Sequence, residues 1–183
     1  MAETILETDR LRLRTWDDTD IDPYLEHLDT PAVLRWLGPL QTREDVAAVV
    51  VRVNASQAEH GHCFWLIERR ADGALLGFCG LKRVNAAGTE LAGEFEVGWR
   101  LREDAWGQGY AREAAIASIR RAFLVHGAER VVAFTVQGNR ASWGLMERLG
   151  MVRRADLDFI DPAYGPDLNP TIVYMTERNQ WTA

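Results

Sequence analysis

Residues 105–115 read AWGQGYAREAA, with two glycines one residue apart between an apolar, strand-like run and an alanine-rich, helical one. No other stretch limits the fold as tightly. A helix leaves its first backbone N–H groups unpaired and carries partial positive charge at that end. A phosphate can satisfy both, provided the backbone can be approached closely. Gly107 and Gly109 remove the side chains that would block that approach, and they allow the positive φ angles that turn successive N–H groups inward. A phosphate cradle explains the pair better than a flexible connection does. Two familiar phosphate loops are excluded. The dinucleotide fingerprint needs a third glycine where Arg112 stands, and the nucleoside-triphosphate loop needs a Gly-Lys-Ser/Thr that the chain lacks.

The periodicity around that junction predicts the rest. Arg10–Arg14 (RLRLR) alternates strictly and reads as a first strand. Tyr24, Leu25, Leu28, Val33, Leu34 and Leu37 fit two short helices broken near Pro31. Thr42 is placed to cap a helix that stops at Gly61. Residues 62–68, 74–81 and 94–101 read as three strands, the first two joined by an Asp-Gly turn at 72–73. A helix over 111–126, a strand over 130–137, a helix over 140–149 and a strand over 171–176 complete the order. Hairpins in the first half and helix-connected strands in the second predict an α+β (α/β) fold. The expectation is a single domain over residues 1–183 with a central mixed, mostly antiparallel sheet of about six or seven strands flanked by helices.

Composition bounds the function. A net charge of −6 gives no positive field for nucleic acid or anionic membrane, so neither is expected as a partner. Cys63 and Cys79 sit in apolar runs without a C-x-x-C spacing and read as small buried side chains. The charged opening and the lack of a long apolar segment make the cytoplasm the expected compartment.

Taken together, EVGWRL (residues 96–101 within it), WGQGYAREA and the N-x-x-S…ERLGM run from Asn139 resemble the GNAT superfamily of acetyl-CoA-dependent N-acetyltransferases. Within it they are most similar to the RimJ/RimL-type branch. The resemblance covers nearly the whole chain. It implies a sheet splayed in the middle for acetyl-CoA, which serves as acyl donor with no metal. It also implies a primary-amine acceptor, either a protein N-terminus or a small molecule; a homodimer stays open. The family's pyrophosphate loop falls on Trp106–Ala111, with Trp106 replacing the usual first residue. Gly107, Gln108, Gly109, Tyr110, Ala111 and Arg112 are thereby the expected phosphate contacts. Val97, Trp99, Arg100 and Leu101 correspond to the strand that pairs with the pantetheine arm, and Asn139 to the residue holding it from the opposite strand's end.

Acyl transfer needs a neutral amine, a donor for the developing oxyanion and help for the departing thiolate. The main chain near Trp99 or Arg100 is the expected oxyanion donor. The family's tyrosine acid falls on Met146, so Ser142, one turn earlier, is the candidate for that role. Glu96 resembles the family's strand carboxylate and is the candidate base or water relay, with Glu94, Asp158 and Asp161 as alternatives. Trp36, Trp65 and Tyr24 could serve as acceptor-pocket walls or as core. The acceptor-selecting residues are expected in the first two helices and the 156–170 loop. A catalytically silent acyl-CoA-binding sensor or assembly module is the rival reading, discriminated by turnover.

Overall fold

The computed structural model describes residues 2–182. Eight strands form one sheet: β1 (Thr4–Glu7), β2 (Leu11–Arg14), β3 (Phe64–Arg69), β4 (Leu75–Arg83), β5 (Phe95–Leu101), β6 (Arg130–Val136), β7 (Val152–Arg153) and β8 (Thr171–Glu177). Their order is β1-β2-β3-β4-β5-β6-β8-β7. Every neighbouring pair is antiparallel except β5 and β6. The two strands beyond the six read from the sequence are the edges β1 and β7.

Among the described residues there are five α-helices: α1 (Ile21–Leu28), the single turn α2 (Pro31–Leu34), α3 (Arg43–His60), α4 (Tyr110–Leu124) and α5 (Arg140–Arg148). The expected cap at Thr42 is present. Its hydroxyl accepts from the Asp45 N–H while the Asp45 carboxylate accepts from the Thr42 N–H, so two otherwise unpaired donors are satisfied at once. Gly61 closes the same helix in a left-handed conformation.

The two faces of the sheet bury different partners. Cys79 of β4 meets Ser118 of α4 at 3.7 Å, and the adjacent Phe78 must point the other way. Small side chains at Ala114, Ala115, Ser118 and Ala122 let α4 lie close against its face. Phe78 and Arg100 are cross-strand partners on the opposite face, where Arg100 reaches Tyr24 of α1. Trp65 is fully buried and donates its indole N–H to Gln57, so it belongs to the core and not to a pocket wall. Both thiols are buried as expected, and burial pushes each up to about 12.

β5 pairs with β4 along its whole length, from Leu101 opposite Gly77 to Phe95 opposite Arg83. It pairs with β6 only at Phe95–Val131 and Glu96–Val132. Past Glu96 the two parallel strands part, and the sheet forks.

Candidate active site

The fork determines which main-chain groups are available. The Arg102 N–H donates to the Leu76 carbonyl, so by alternation Arg100, Gly98 and Glu96 share their main-chain bonds with β4. Val97, Trp99 and Leu101 turn theirs to the other edge. Val97 stands at the fork itself, and Trp99 lies beyond the last residue that β6 covers. The Leu101 carbonyl is taken by the Trp106 indole N–H at 2.8 Å. Of the two residues considered as oxyanion donors, Trp99 therefore presents its N–H to the gap, whereas the Arg100 main chain faces β4.

The strand runs through a short turn into the two-glycine loop. Gly107 and Gly109 have φ of +73° and +81°, a region in which only glycine is comfortable. A Cβ on Gly107 would meet nothing within 4 Å, so that side of the loop is open. Gly109 caps α4 without a side-chain hydrogen bond. Among the described residues, no hydrogen bond engages the main-chain N–H groups of 107–112. The first turn of a 15-residue helix thus presents its dipole and its unpaired donors to one open surface. Such a surface fits a diphosphate. Tyr110 is buried beneath the loop, Ala111 packs against the core and Arg112 is exposed.

A clamp that the sequence did not disclose holds this loop. Arg10, just before β2, donates from Nη1 to the Gln108 carbonyl at 2.9 Å and from Nε to Glu113 at 2.6 Å. Its guanidinium lies 4.6 Å from the centre of the Tyr110 ring. Glu113 also accepts from the Thr8 hydroxyl at 2.6 Å and from the Arg10 N–H at 2.9 Å. The Gln108 amide bonds the Asp104 carbonyl at 2.6 Å. No short-range pattern reveals a contact between residues about a hundred positions apart.

Glu96 sits at the fork with its side chain 13% exposed and its Oε2 3.1 Å from Lys82 Nζ. Burial raises its carboxyl above the ordinary carboxylate range, and the Lys82 charge partly opposes this. The alternative carboxylates are otherwise engaged. Glu94 precedes β5 and accepts from Arg130 at 2.6 Å. Asp158 is held by Arg153, with Nη1 at 2.6 Å, and accepts from the Val173 N–H. Asp161 is buried and accepts from the Ala163 N–H at 2.9 Å.

Across the fork, Asn139 caps α5, its Oδ1 accepting from the Ser142 N–H at 3.3 Å. Ser142 is half-buried, and Met146 lies in the core one turn on. Trp36 reaches this end of β6. A Cβ on Gly138 would lie 2.6 Å from its ring, so a side chain there would push the indole aside. A separate cavity of about 610 Å³ opens where β5 and β6 begin, at the end of the strands away from the loop. Its Arg83, Arg130 and Arg178 are matched by Glu94, Glu129 and Glu177, so it offers no net charge to an anion. Among the described residues no group of His, Cys, Asp and Glu could hold a metal, and no helix is long and apolar enough to cross a membrane.

The family model described as an acetyltransferase (GNAT) domain matches residues 10–152. The chain belongs to the GNAT acetyltransferase family. It is accordingly an acyltransferase enzyme. The Bacillus subtilis uncharacterized protein YkkB is 29% identical over 151 residues, covering 82% of this chain and 86% of its own. The uncharacterized N-acetyltransferase YoaA of the same organism is 26% identical over 155 residues, covering 84% and 85%. Among solved structures, an acetyltransferase from Agrobacterium tumefaciens superposes with a TM-score of 0.78 at 26% identity, covering 94% of each chain.

Proposed function

We propose that this GNAT enzyme moves the acetyl group of acetyl-CoA directly onto a primary amine, either a protein N-terminus or a small molecule. We place it in the RimJ/RimL-like branch on the strength of its loop and N-x-x-S motifs, and read residues 1–183 as one catalytic domain. The observation that carries the reading is the fork: a strand edge freed after Glu96 leads straight to a loop whose N–H groups at 107–112 are uncommitted.

Acetyl-CoA, when bound, supplies the acetyl group as an activated thioester. The amides of 107–112 hold the diphosphate, with Arg112 adding positive charge beside it. The freed edge of Val97, Trp99 and Leu101 meets the amide-bearing arm, and Asn139 steadies it from the end of β6. The Trp99 N–H stabilises the negative charge that develops on the carbonyl oxygen. Glu96 takes the proton of the attacking amine, directly or through a water. Burial raises its carboxyl above the ordinary carboxylate range, which makes its ionised form a stronger base than an ordinary carboxylate. As the new N–C bond forms and the C–S bond breaks, Ser142 donates to the departing sulfur. Mixing the enzyme with acetyl-CoA and a panel of primary amines, and following thiol release, tests this. The expected result is amine-dependent release. Tight CoA binding with no release on any amine would establish the silent module instead.

A further inference from the structure

Arg100 is a cation without an anion. Its side chain lies on the face of the sheet away from α4, half-buried against the rings of Tyr24 and Phe78. Its Nη1 donates to the Tyr24 hydroxyl, which donates in turn to Gln41 Oε1 at 2.8 Å. The nearby Asp29 does not close the circuit. Both of its oxygens accept from the Gln41 N–H, at 3.0 and 3.1 Å, and no carboxylate lies within ion-pair distance of Arg100 among the described residues. Arg100 Nε is buried with no partner at all. A guanidinium carries five donors, and here only a neutral hydroxyl answers one of them. Burial pulls its pKa down, as expected where desolvation is not offset by a counter-charge.

Arg121 likewise has a buried Nε without a partner and leans on the Trp65 ring, but Arg14 is treated differently. On the same face, Arg14 is held by Asp20 at 2.7 Å and by Glu68 at 2.6 Å. An uncompensated buried charge is costly, so its retention at position 100 calls for a partner from outside the chain. The location indicates which partner. Arg100 stands four residues from Glu96 on the same face of β5, about 13 Å along the strand. It is flanked by Tyr24 and Asp29 of the first helical unit and is within electrostatic reach of Tyr164 in the loop before β8. Those are the two segments in which the acceptor-selecting residues are expected from the sequence. The phosphate-binding amides belong to the N-terminus of α4, on the other face.

We infer that Arg100 is a specificity-determining residue that pairs with a carboxylate on the acceptor, so that the preferred substrates are small molecules bearing both a primary amine and a carboxylate. This rests on the acetyl-transfer reading above and sharpens it. A planar guanidinium set between two aromatic rings suits a planar carboxylate in a two-point contact.

The test is a matched series of α- and ω-amino acids, their carboxamides, and amines lacking the group, each assayed for thiol release with the wild-type enzyme. The acid is expected to exceed its own amide by about tenfold or more in kcat/KM, the range of a hydrogen bond to a charged group. In Arg100→Gln the acid-to-amide ratio should collapse to near one, and Arg100→Lys should restore part of it. The ratio is internal to each protein, so a general loss of activity or fold leaves it readable. Equal rates for acid and amide in the wild type would overturn the inference. A parallel titration with CoA separates the two readings. If Arg100→Gln weakens CoA as much as it weakens the acid, the cation serves the donor and the inference fails. If CoA does not bind the wild type, the acetyl-transfer reading fails first. Should no amine turn over, the affinity of the CoA-bound enzyme for acid against amide gives the same ratio.

Discussion

Replacing Arg10 with alanine is expected to weaken CoA binding about tenfold and to lower the melting temperature by no more than a few degrees. The side chain touches no part of the proposed ligand surface except through the loop it holds. Its pair with Glu113 is 47% exposed on the arginine side, which limits that contact to less than about 1 kcal/mol. The bond to the Gln108 carbonyl is worth about 0.5–1.5 kcal/mol, and the stacking on Tyr110 about 0.5–1 kcal/mol. Contacts that share one side chain are not additive, so the total is roughly 1–2 kcal/mol. Glu113 stays anchored by Thr8 and by the main-chain N–H of residue 10, so the start of α4 keeps its place. What is lost is the grip on Gln108, midway between the two glycines. If that energy sets the population of the binding-competent loop, the apparent affinity falls by the same factor, about tenfold. Isothermal titration with CoA beside a thermal melt reads both quantities. Arg10→Lys separates geometry from charge, because it keeps the positive charge but cannot bridge Glu113 and Gln108 at once. Unchanged affinity in Arg10→Ala, or wild-type affinity in Arg10→Lys, would refute the clamp.

Glu96→Gln should slow acetyl transfer by about 10²–10⁴-fold. Because burial holds the Glu96 carboxyl high, activity should fall as pH drops through that raised value, and Lys82→Met, which removes the opposing charge, should move the acid limb to higher pH; a limb that stays put removes Glu96 as base. The same shift has a stability consequence. A carboxyl raised in the folded state contributes stability at acid pH that is lost as pH rises through the folded value, so Glu96→Gln should melt no lower than wild type near neutral pH. Ser142→Ala should slow thiol release at least about tenfold with CoA affinity retained, and an unchanged rate takes Ser142 out of the reaction. Asp20→Ala leaves Glu68 as the one carboxylate bonded to Arg14 and removes the oxygen that accepts from the Asp17 N–H at 2.7 Å. It should cost about 3 kcal/mol by urea unfolding, and a loss under 1 kcal/mol would contradict the buried network.

What was legible in the sequence was local. Thr42 and Gly61 bounded α3, the Asp-Gly turn joined β3 to β4, and the loop glycines occupy the left-handed conformations their position demanded. The two missed strands had no period to show. β7 has two residues, and β1 is a four-residue edge whose pairing with β2 is already irregular between Thr4 and Leu6. The fork was implied only by the family resemblance, because no residue marks it. It arises from where two parallel strands stop facing each other. Long-range partners were equally silent: Arg10 for Glu113, Trp36 over Gly138, and the missing partner of Arg100 are all properties of the folded chain. Trp65 illustrates the limit in the other direction, since a tryptophan that could have lined a pocket is fully buried and bonded to Gln57.

The central claim is that the main-chain N–H groups of 107–112 and of Trp99 receive the acyl donor. Amide resonances of the labelled enzyme, followed during a CoA titration, test it residue by residue. The account predicts saturable shifts at Gly107, Gln108, Gly109, Tyr110, Ala111, Arg112 and Trp99, with slowed amide exchange at the same positions. Saturation by CoA with those signals unmoved, and shifts gathered instead around Arg83, His126 and Arg130 at the far end of the strands, would contradict it.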